Sequence, residues 1–149
     1  MSDNLHIRKA KKDIPAILKL YGQPEIDNGV SLSLDEAAEI FNRIQRYPDY
    51  ALYIAELDDR IAGSFGLLIM DNLGHLGTPS VIVEDVVVAP DLQNRGVGKE
   101  MMRYAFVLAA RSDCYKITLS ANCKRKKAHT FYESLGFEKH GYSYTILIR

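Results

Sequence analysis

Tryptophan is absent from this chain, cysteine occurs twice and proline five times in 149 residues. Cys114 and Cys123 are too few for a disulfide framework, so packing must hold the core, and a reduced, cytoplasmic setting is the plain reading. A charge surplus is missing too, because 19 basic and 19 acidic residues cancel. That balance argues against bulk electrostatic binding to nucleic acid or to an anionic membrane surface. The longest apolar runs, such as Ile61 to Met70, are too short and too broken by glycine to span a bilayer. The beginning, Met1-Ser2-Asp3-Asn4-Leu5, has no charged segment followed by an apolar one, so it does not read as a signal peptide. His75 and His129 have no partners at metal-ligand spacing, and no metal site is expected. What is present suits one domain over residues 1–149 with enough chain to bury a core.

Leu5 to Arg8 alternates like a short strand, and Asp13 is placed to cap a helix carrying Ile14, Ile17, Leu18 and Tyr21. Gly22 to Ser33 reads as a loop long enough to suspect a role near a substrate. Ser33-Leu34-Asp35-Glu36 is a capping-box signature, opening a helix that stops before Pro48. Tyr50 to Leu57 and Arg60 to Met70 form a hairpin around Asp58-Asp59, and Gly63 and Gly66 hint at a bulge or a close approach. A second loop, Asp71 to Ser80, leads to a strand over Val81 to Val88. A helix over Lys99 to Ser112, a strand over Lys116 to Ser120, a short helix over Ala128 to Leu135 and a last strand over Tyr142 to Ile148 follow. The order predicts an α/β (α+β) chain: a mixed, mostly antiparallel sheet of about six to seven strands with about four helices.

The stretch from Val83 to Lys99 organises the rest. A β-branched run ends at Pro90, a polar turn follows, Gly96 and Gly98 open a tight loop, and a helical pattern begins at once. Unpaired N–H groups and the helix dipole make such a place an anion cradle. A Walker loop is excluded, because Gly98-Lys99 is followed by Glu100 and no glycine precedes at the required spacing. A dinucleotide turn is excluded by Met101, where its third glycine would stand. What remains is Gln93-x-x-Gly96-x-Gly98.

This turn resembles the acetyl-CoA loop of the GNAT family of N-acetyltransferases, Arg/Gln-x-x-Gly-x-Gly/Ala. The family's second block is present as Ala128-x-x-Phe131-Tyr132-x-x-x-Gly136-Phe137, and the element order matches that fold over nearly the whole chain. Glu84-Asp85-Val86-Val87-Val88 and Tyr115-Lys116-Ile117-Thr118-Leu119 resemble segments of the glucosamine-6-phosphate branch. Leu119-Ser120-Ala121-Asn122-x-Lys124-Arg125, continuing to Tyr132, is closer to the aminoalkylphosphonate branch. Both branches act on amines bearing a phosphate-like group.

The resemblance implies direct attack of a small primary amine, phosphate- or phosphonate-bearing in the sense of those branches, on the thioester of acetyl-CoA. A protein or peptide acceptor is the alternative within that chemistry, and a CoA-binding module without turnover is the alternative outside it. An alkylammonium with a pKa near ~10 needs a base to take its proton. Glu84 and Asp85 are the candidates, and period-two alternation predicts that only one faces the cleft. Tyr132 is expected to give a proton to the departing thiolate. The resemblance further assigns main-chain groups of Val86 and Val88 to the pantetheine arm, with Val87 between them on the cofactor strand and an N–H near Val86 on the thioester carbonyl, and those of Asn94, Arg95, Gly96, Val97, Gly98 and Lys99 to the pyrophosphate, with Gln93 in the same turn. Asn122 and Arg125 are candidates for CoA phosphates; Arg125 stands where the family often has Asn. A homodimer is implied by the family alone.

Overall fold

The computed structural model describes residues 4–149; Met1 to Asp3, which belong to the stretch read above as no signal peptide, lie outside them. The chain forms two compact units, one ending at Thr118 and the other running Leu119–Arg149.

The first unit is a five-stranded sheet in the order β1-β2-β3-β4-β5. Strand β1 (Leu5–Lys9) leads to α1 (Ile14–Tyr21) and α2 (Leu34–Ile44), then β2 (Tyr50–Leu57), β3 (Arg60–Met70), β4 (Ser80–Val88), α3 (Val97–Arg111) and β5 (Ile117–Thr118). The first three pairings are antiparallel and β4–β5 is parallel. The hairpin between β2 and β3 turns on Asp58 (φ 49°) and Asp59 (φ 61°), the pair of left-handed residues that a two-residue turn needs to match strand twist.

Helix α2 begins with the capping box its sequence announces: Ser33 Oγ accepts from the Glu36 backbone, and the Glu36 carboxylate accepts from the Ser33 N–H at 3.1 Å. Asp13 behaves otherwise. It stands at the α1 N-cap without a capping bond. Its carboxylate instead accepts from both Arg8 amino groups, at 2.9 and 3.0 Å, and from the Lys11 N–H at 2.8 Å. Charge-assisted bonds to a guanidinium outweigh a neutral cap and tie the end of β1 to the start of α1.

One layer of the core lies between the sheet and α3, where Phe65, Leu67, Val81, Val83, Val97, Met101 and Met102 are buried, and a second cluster joins Ile54 to Ala10, Ile17 of α1 and Phe41 of α2. Tyr53 stacks on Phe65 with ring centroids 5.3 Å apart. Gly63 is a point of close approach, as its sequence context suggested. A Cβ placed there would lie 2.7 Å from Met101 Sδ and 2.9 Å from the Val87 carbonyl oxygen. The absence of a side chain at 63 therefore sets how closely α3 and β4 can approach β3.

The second unit contains α4 (Lys126–Ser134), which ends near Gly136 (φ 94°). Here one expectation fails. Tyr142 to Ile148 carries no strand, and Tyr142, Tyr144, Ile146, Leu147 and Ile148 are 83% to 90% exposed. Alternation makes a segment competent to be a strand, but a strand exists only where a neighbour accepts its hydrogen bonds. The described sheet accordingly has five strands rather than six or seven.

Candidate functional site

Strand β4 is regular along β3 until Glu84, opposite Gly66. Its register then shifts, so that Asp85 and Val86 oppose Phe65 alone before Val87 meets Ser64. This is a β-bulge, which leaves its extra residue out of the ladder and bends the strand. Asp85 adopts φ 51°, a left-handed conformation that Asp tolerates better than most residues. The bulge also overturns the expected alternation: both Glu84 and Asp85 are exposed, because one extra residue cancels the period of two.

The two carboxyls differ in setting. Partial burial, reinforced by the negative charge of Asp27, raises the Asp85 pKa above the ordinary carboxylate value. Tyr50 and Tyr21 are neighbours of the same region. Burial, then the charges of Asp85 and Glu84, raises the Tyr50 phenol. The Tyr21 hydroxyl is buried without a hydrogen-bond partner of good geometry, and desolvation pushes its pKa up to about 12, so it remains a neutral donor. Sequence reasoning placed Tyr21 on an apolar helix face and Tyr50 in a strand; no local signal brings them to Asp85, because the packing of α1 on the sheet and the pairing of β2 with β3 do so.

The other edge of β4 is open for most of its length. Strand β5 pairs with it only at Val81↔Ile117 and Ile82↔Thr118. From Val83 to Val88 no described strand lies on that side. An extended ligand could add its amide groups there as a further strand does. The far end is partly taken: the Val88 carbonyl accepts from Gln23 Nε2 at 3.0 Å and from Gln93 Nε2 at 3.3 Å. Gln93 thus acts through its side chain as a brace between the turn and the strand end. Gln23 belongs to the first long loop, which closes on itself through Gly29 N–H to Gly22 O at 2.8 Å.

Past β4, a 3-10 turn (Pro90–Leu92) leads into the glycine turn. Asn94 (φ 60°) and Gly96 (φ 85°) are both left-handed, and Gly96 is the N-cap of α3. Interspersed left-handed residues turn successive N–H groups toward one side, the geometry of an anion nest. An added Cβ at Gly96 would meet nothing within 4 Å, so the glycine serves its dihedral angle and an open concavity. The first bond of the helix is Glu100 N–H to Gly96 O at 3.1 Å, which leaves the N–H groups of Val97, Gly98 and Lys99 without partners inside the helix. Arg95 and Lys99 are exposed beside them. A pyrophosphate fits this cradle in charge and in donor set.

In the second unit, Tyr132 packs its ring against Phe131 and Phe137, with centroids 5.1 and 5.7 Å away. Burial raises its pKa, and the positive charge of Arg125 partly offsets the rise. The phenol is held protonated and next to a cation. Asn122 organises the start of α4: its Oδ1 accepts from the Lys124 N–H at 2.9 Å, and its carbonyl meets His129 Nε2 at 2.8 Å and accepts from the Arg125 N–H at 2.9 Å. Asn122 thus shapes the basic loop that carries Arg125. His75 lies against Tyr115, with ring centroids 4.5 Å apart. Among the described residues, no group of three or more His, Cys, Asp or Glu could hold a metal ion, and no helix is long and apolar enough to cross a membrane.

The bulged strand β4, its half-open edge and the glycine-capped helix behind it define a GNAT fold, and comparison with solved structures agrees. A provisionally named acetyltransferase of Agrobacterium tumefaciens superposes with a TM-score of 0.88 at 28% identity, over 95% of this chain and 99% of that one. Glucosamine-6-phosphate N-acetyltransferase of Arabidopsis thaliana shares the fold with a TM-score of 0.82 at 21% identity, over 99% and 100% of the two chains. The chain belongs to the acetyltransferase (GNAT) family, whose model matches residues 15–137. Among curated proteins, glucosamine 6-phosphate N-acetyltransferase of Trypanosoma brucei brucei is 35% identical over 81 residues. That match spans about half of each protein, 54% of this chain and 53% of the relative.

Proposed function

We propose that the protein transfers acetyl from acetyl-CoA, as cosubstrate, to a primary amine of a small molecule bearing a phosphate or phosphonate group. The observation that carries the reading is the bulge at Asp85, which sets a carboxyl of raised pKa at the head of a strand edge that β5 leaves free and that leads to an anion cradle. The cosubstrate supplies an activated acyl group on sulfur. The chain's own residues then have four tasks.

The N–H groups from Asn94 to Lys99 hold the pyrophosphate, and the free edge of β4 near Val86 and Val87 pairs the pantetheine arm. Asp85 is the better base of the two candidates. Its raised pKa brings it closer to the range where a carboxylate can take a proton from an ammonium, directly or through water. Glu84 is exposed next to it. The freed amine nitrogen attacks the carbonyl carbon, an N–C bond forms, the C–S bond breaks, and the nitrogen sheds its second proton, which returns through water to the phenolate that Tyr132 becomes. Tyr132 gives its proton to the departing thiolate; its raised pKa keeps that proton available at neutral pH.

Support for a phosphate-bearing acceptor is the name of the curated relative and the basic run Lys124, Arg125, Lys126 and Lys127. Such an acceptor suits a cytoplasmic enzyme that needs no metal and, by family likeness, works as a homodimer. The test is thiol release from acetyl-CoA over a panel of amines with and without a phosphate or phosphonate group. Tyr132→Phe should lower kcat by about 10²–10⁴-fold while acetyl-CoA binding persists. Turnover that is unchanged in Tyr132→Phe removes the acid assignment. Binding of acetyl-CoA with no amine turned over would point to a binding module.

A further inference from the structure

Tyr21 is the last residue of α1, and its hydroxyl is buried without a hydrogen bond of good geometry. A hydroxyl left buried and unpaired is costly, and folded proteins keep few of them, so this one calls for an explanation.

The floor beneath it is made of small residues. Ser64 and Gly66 of β3 stand opposite Ile54 and Leu52 of β2, and directly opposed residues share a face of the sheet. Ile54 packs with Ile17 of α1 and Phe41 of α2, and Tyr21 packs against the same cluster, so this is the face that α1 covers. On the other side of β3, Ser64 meets Val87 and Gly66 meets Glu84, the two rungs that bracket the bulge at Asp85. Gly66 brings no side chain, and the Tyr50 hydroxyl lies 3.6 Å from where its Cβ would stand. Ser64 is close to Tyr21 but spends its own proton on the Tyr53 carbonyl, at 3.0 Å. Two phenols therefore stand over a floor of Ser and Gly at the bulge, and the Tyr21 phenol has a proton to offer.

The surroundings select what can accept it. The charges of Asp85 and Asp27 reach Tyr21, and those of Asp85 and Glu84 reach Tyr50. The Asp27 N–H donates to the Tyr21 carbonyl at 3.0 Å, which keeps this residue at the end of α1. A phosphate or phosphonate brought among these carboxyls would meet like charge, whereas an ammonium is attracted and a neutral hydroxyl is admitted.

We propose that Tyr21 determines acceptor specificity by donating a hydrogen bond to a neutral hydroxyl that the acceptor carries close to its amine, so that amino alcohols are preferred to plain alkylamines. This rests on the acetyl-transfer reading of the same site and adds which neighbour of the amine is recognised. An analogue without that hydroxyl leaves the buried donor unpaired, and the site discriminates against it for that reason. Any phosphate group of the acceptor then points away from this end of the site.

The test compares thiol release from acetyl-CoA with two acceptors, aminopropylphosphonate with and without a hydroxyl on its middle carbon. The parent protein should favour the hydroxylated compound in kcat/KM by about 10–100-fold. Tyr21→Phe should lower kcat/KM for the hydroxylated compound by that factor and bring the two compounds level. Its Tm should equal or exceed that of the parent, because the ring is kept and an unpaired buried hydroxyl is removed. A preference that survives Tyr21→Phe would overturn the proposal, and so would a parent protein that does not favour the hydroxylated compound. An equal loss on both compounds with a lowered Tm would make Tyr21 a structural residue and overturn it too. If no amine of any kind releases thiol, the acetyl-transfer reading itself fails and this inference falls with it.

Discussion

Replacing Gly63 by Ala tests how the core positions β4. The new methyl would stand 2.7 Å from Met101 Sδ, 2.9 Å from Val87 O and 3.4 Å from Val97 Cγ1. The thioether is the far end of a flexible side chain and can swing away. The Val87 carbonyl cannot, because it belongs to the strand backbone just past the bulge, and relief requires β4 to move outward by several tenths of an ångström. Forcing one methyl into a packed site of this kind costs about 1–3 kcal/mol. For a chain of this size each kcal/mol lowers Tm by about 2–4 °C, so a loss of about 2 kcal/mol should lower it by roughly 4–8 °C. Gly66→Ala is the control. Its Cβ would meet only ordinary contacts at 3.6 Å, with Leu52 and Tyr50, and its stability should stay within about 0.5 kcal/mol of the parent. Urea unfolding of both variants measures the difference. Adding Met101→Ala to Gly63→Ala should not restore the loss, because the backbone contact persists. A Gly63→Ala protein as stable as the parent, with an unchanged m-value, would refute the claim that this glycine sets the spacing of α3, β3 and β4.

Other substitutions probe the site and its frame. Asp85→Asn keeps a residue that tolerates the left-handed bulge but cannot take a proton, so turnover should fall by about 10²–10⁴-fold. The same variant has a pH signature. The folded pKa of Asp85 is raised, so the parent loses stability as pH rises from the unfolded carboxylate value through the folded one. Asp85→Asn should lack that slope and be more stable than the parent at pH 7; thermal unfolding across the window decides it. Ser33→Ala removes the hydroxyl of the α2 capping box and should cost about 1 kcal/mol in chemical denaturation, with activity unchanged.

Local signals in the sequence are reproduced where local chemistry settles the matter. The Ser33–Glu36 box, the Asp58-Asp59 turn and the Gln93-x-x-Gly96-x-Gly98 turn each depend on residues within a few positions of one another. The bulge at Asp85 does not. It exists because two residues of β4 face one residue of β3, a relation fixed by pairing some twenty positions away, and Asp in a strand gives only a faint hint of it. The brace from Gln23 to Val88 spans 65 positions and left no trace in the pattern. Asp13 was legible as a helix start but not as a partner of Arg8, since a guanidinium placed by β1 captures the carboxylate first. The segment after α4 shows the converse limit: period-two alternation records competence to pair, and the partner must come from elsewhere.

The short ladder between β4 and β5 makes the fold unfinished in a particular way. From Val83 onward, one side of β4 has no neighbour among the described strands. A ligand that completes that edge binds the native state and not the unfolded chain, so its concentration enters the folding equilibrium directly. At a hundred times its Kd such a ligand adds about 2.7 kcal/mol to stability. The lifetime of the protein in a cell would then track its supply of acyl donor, rising when the donor is plentiful and shortening when it is depleted.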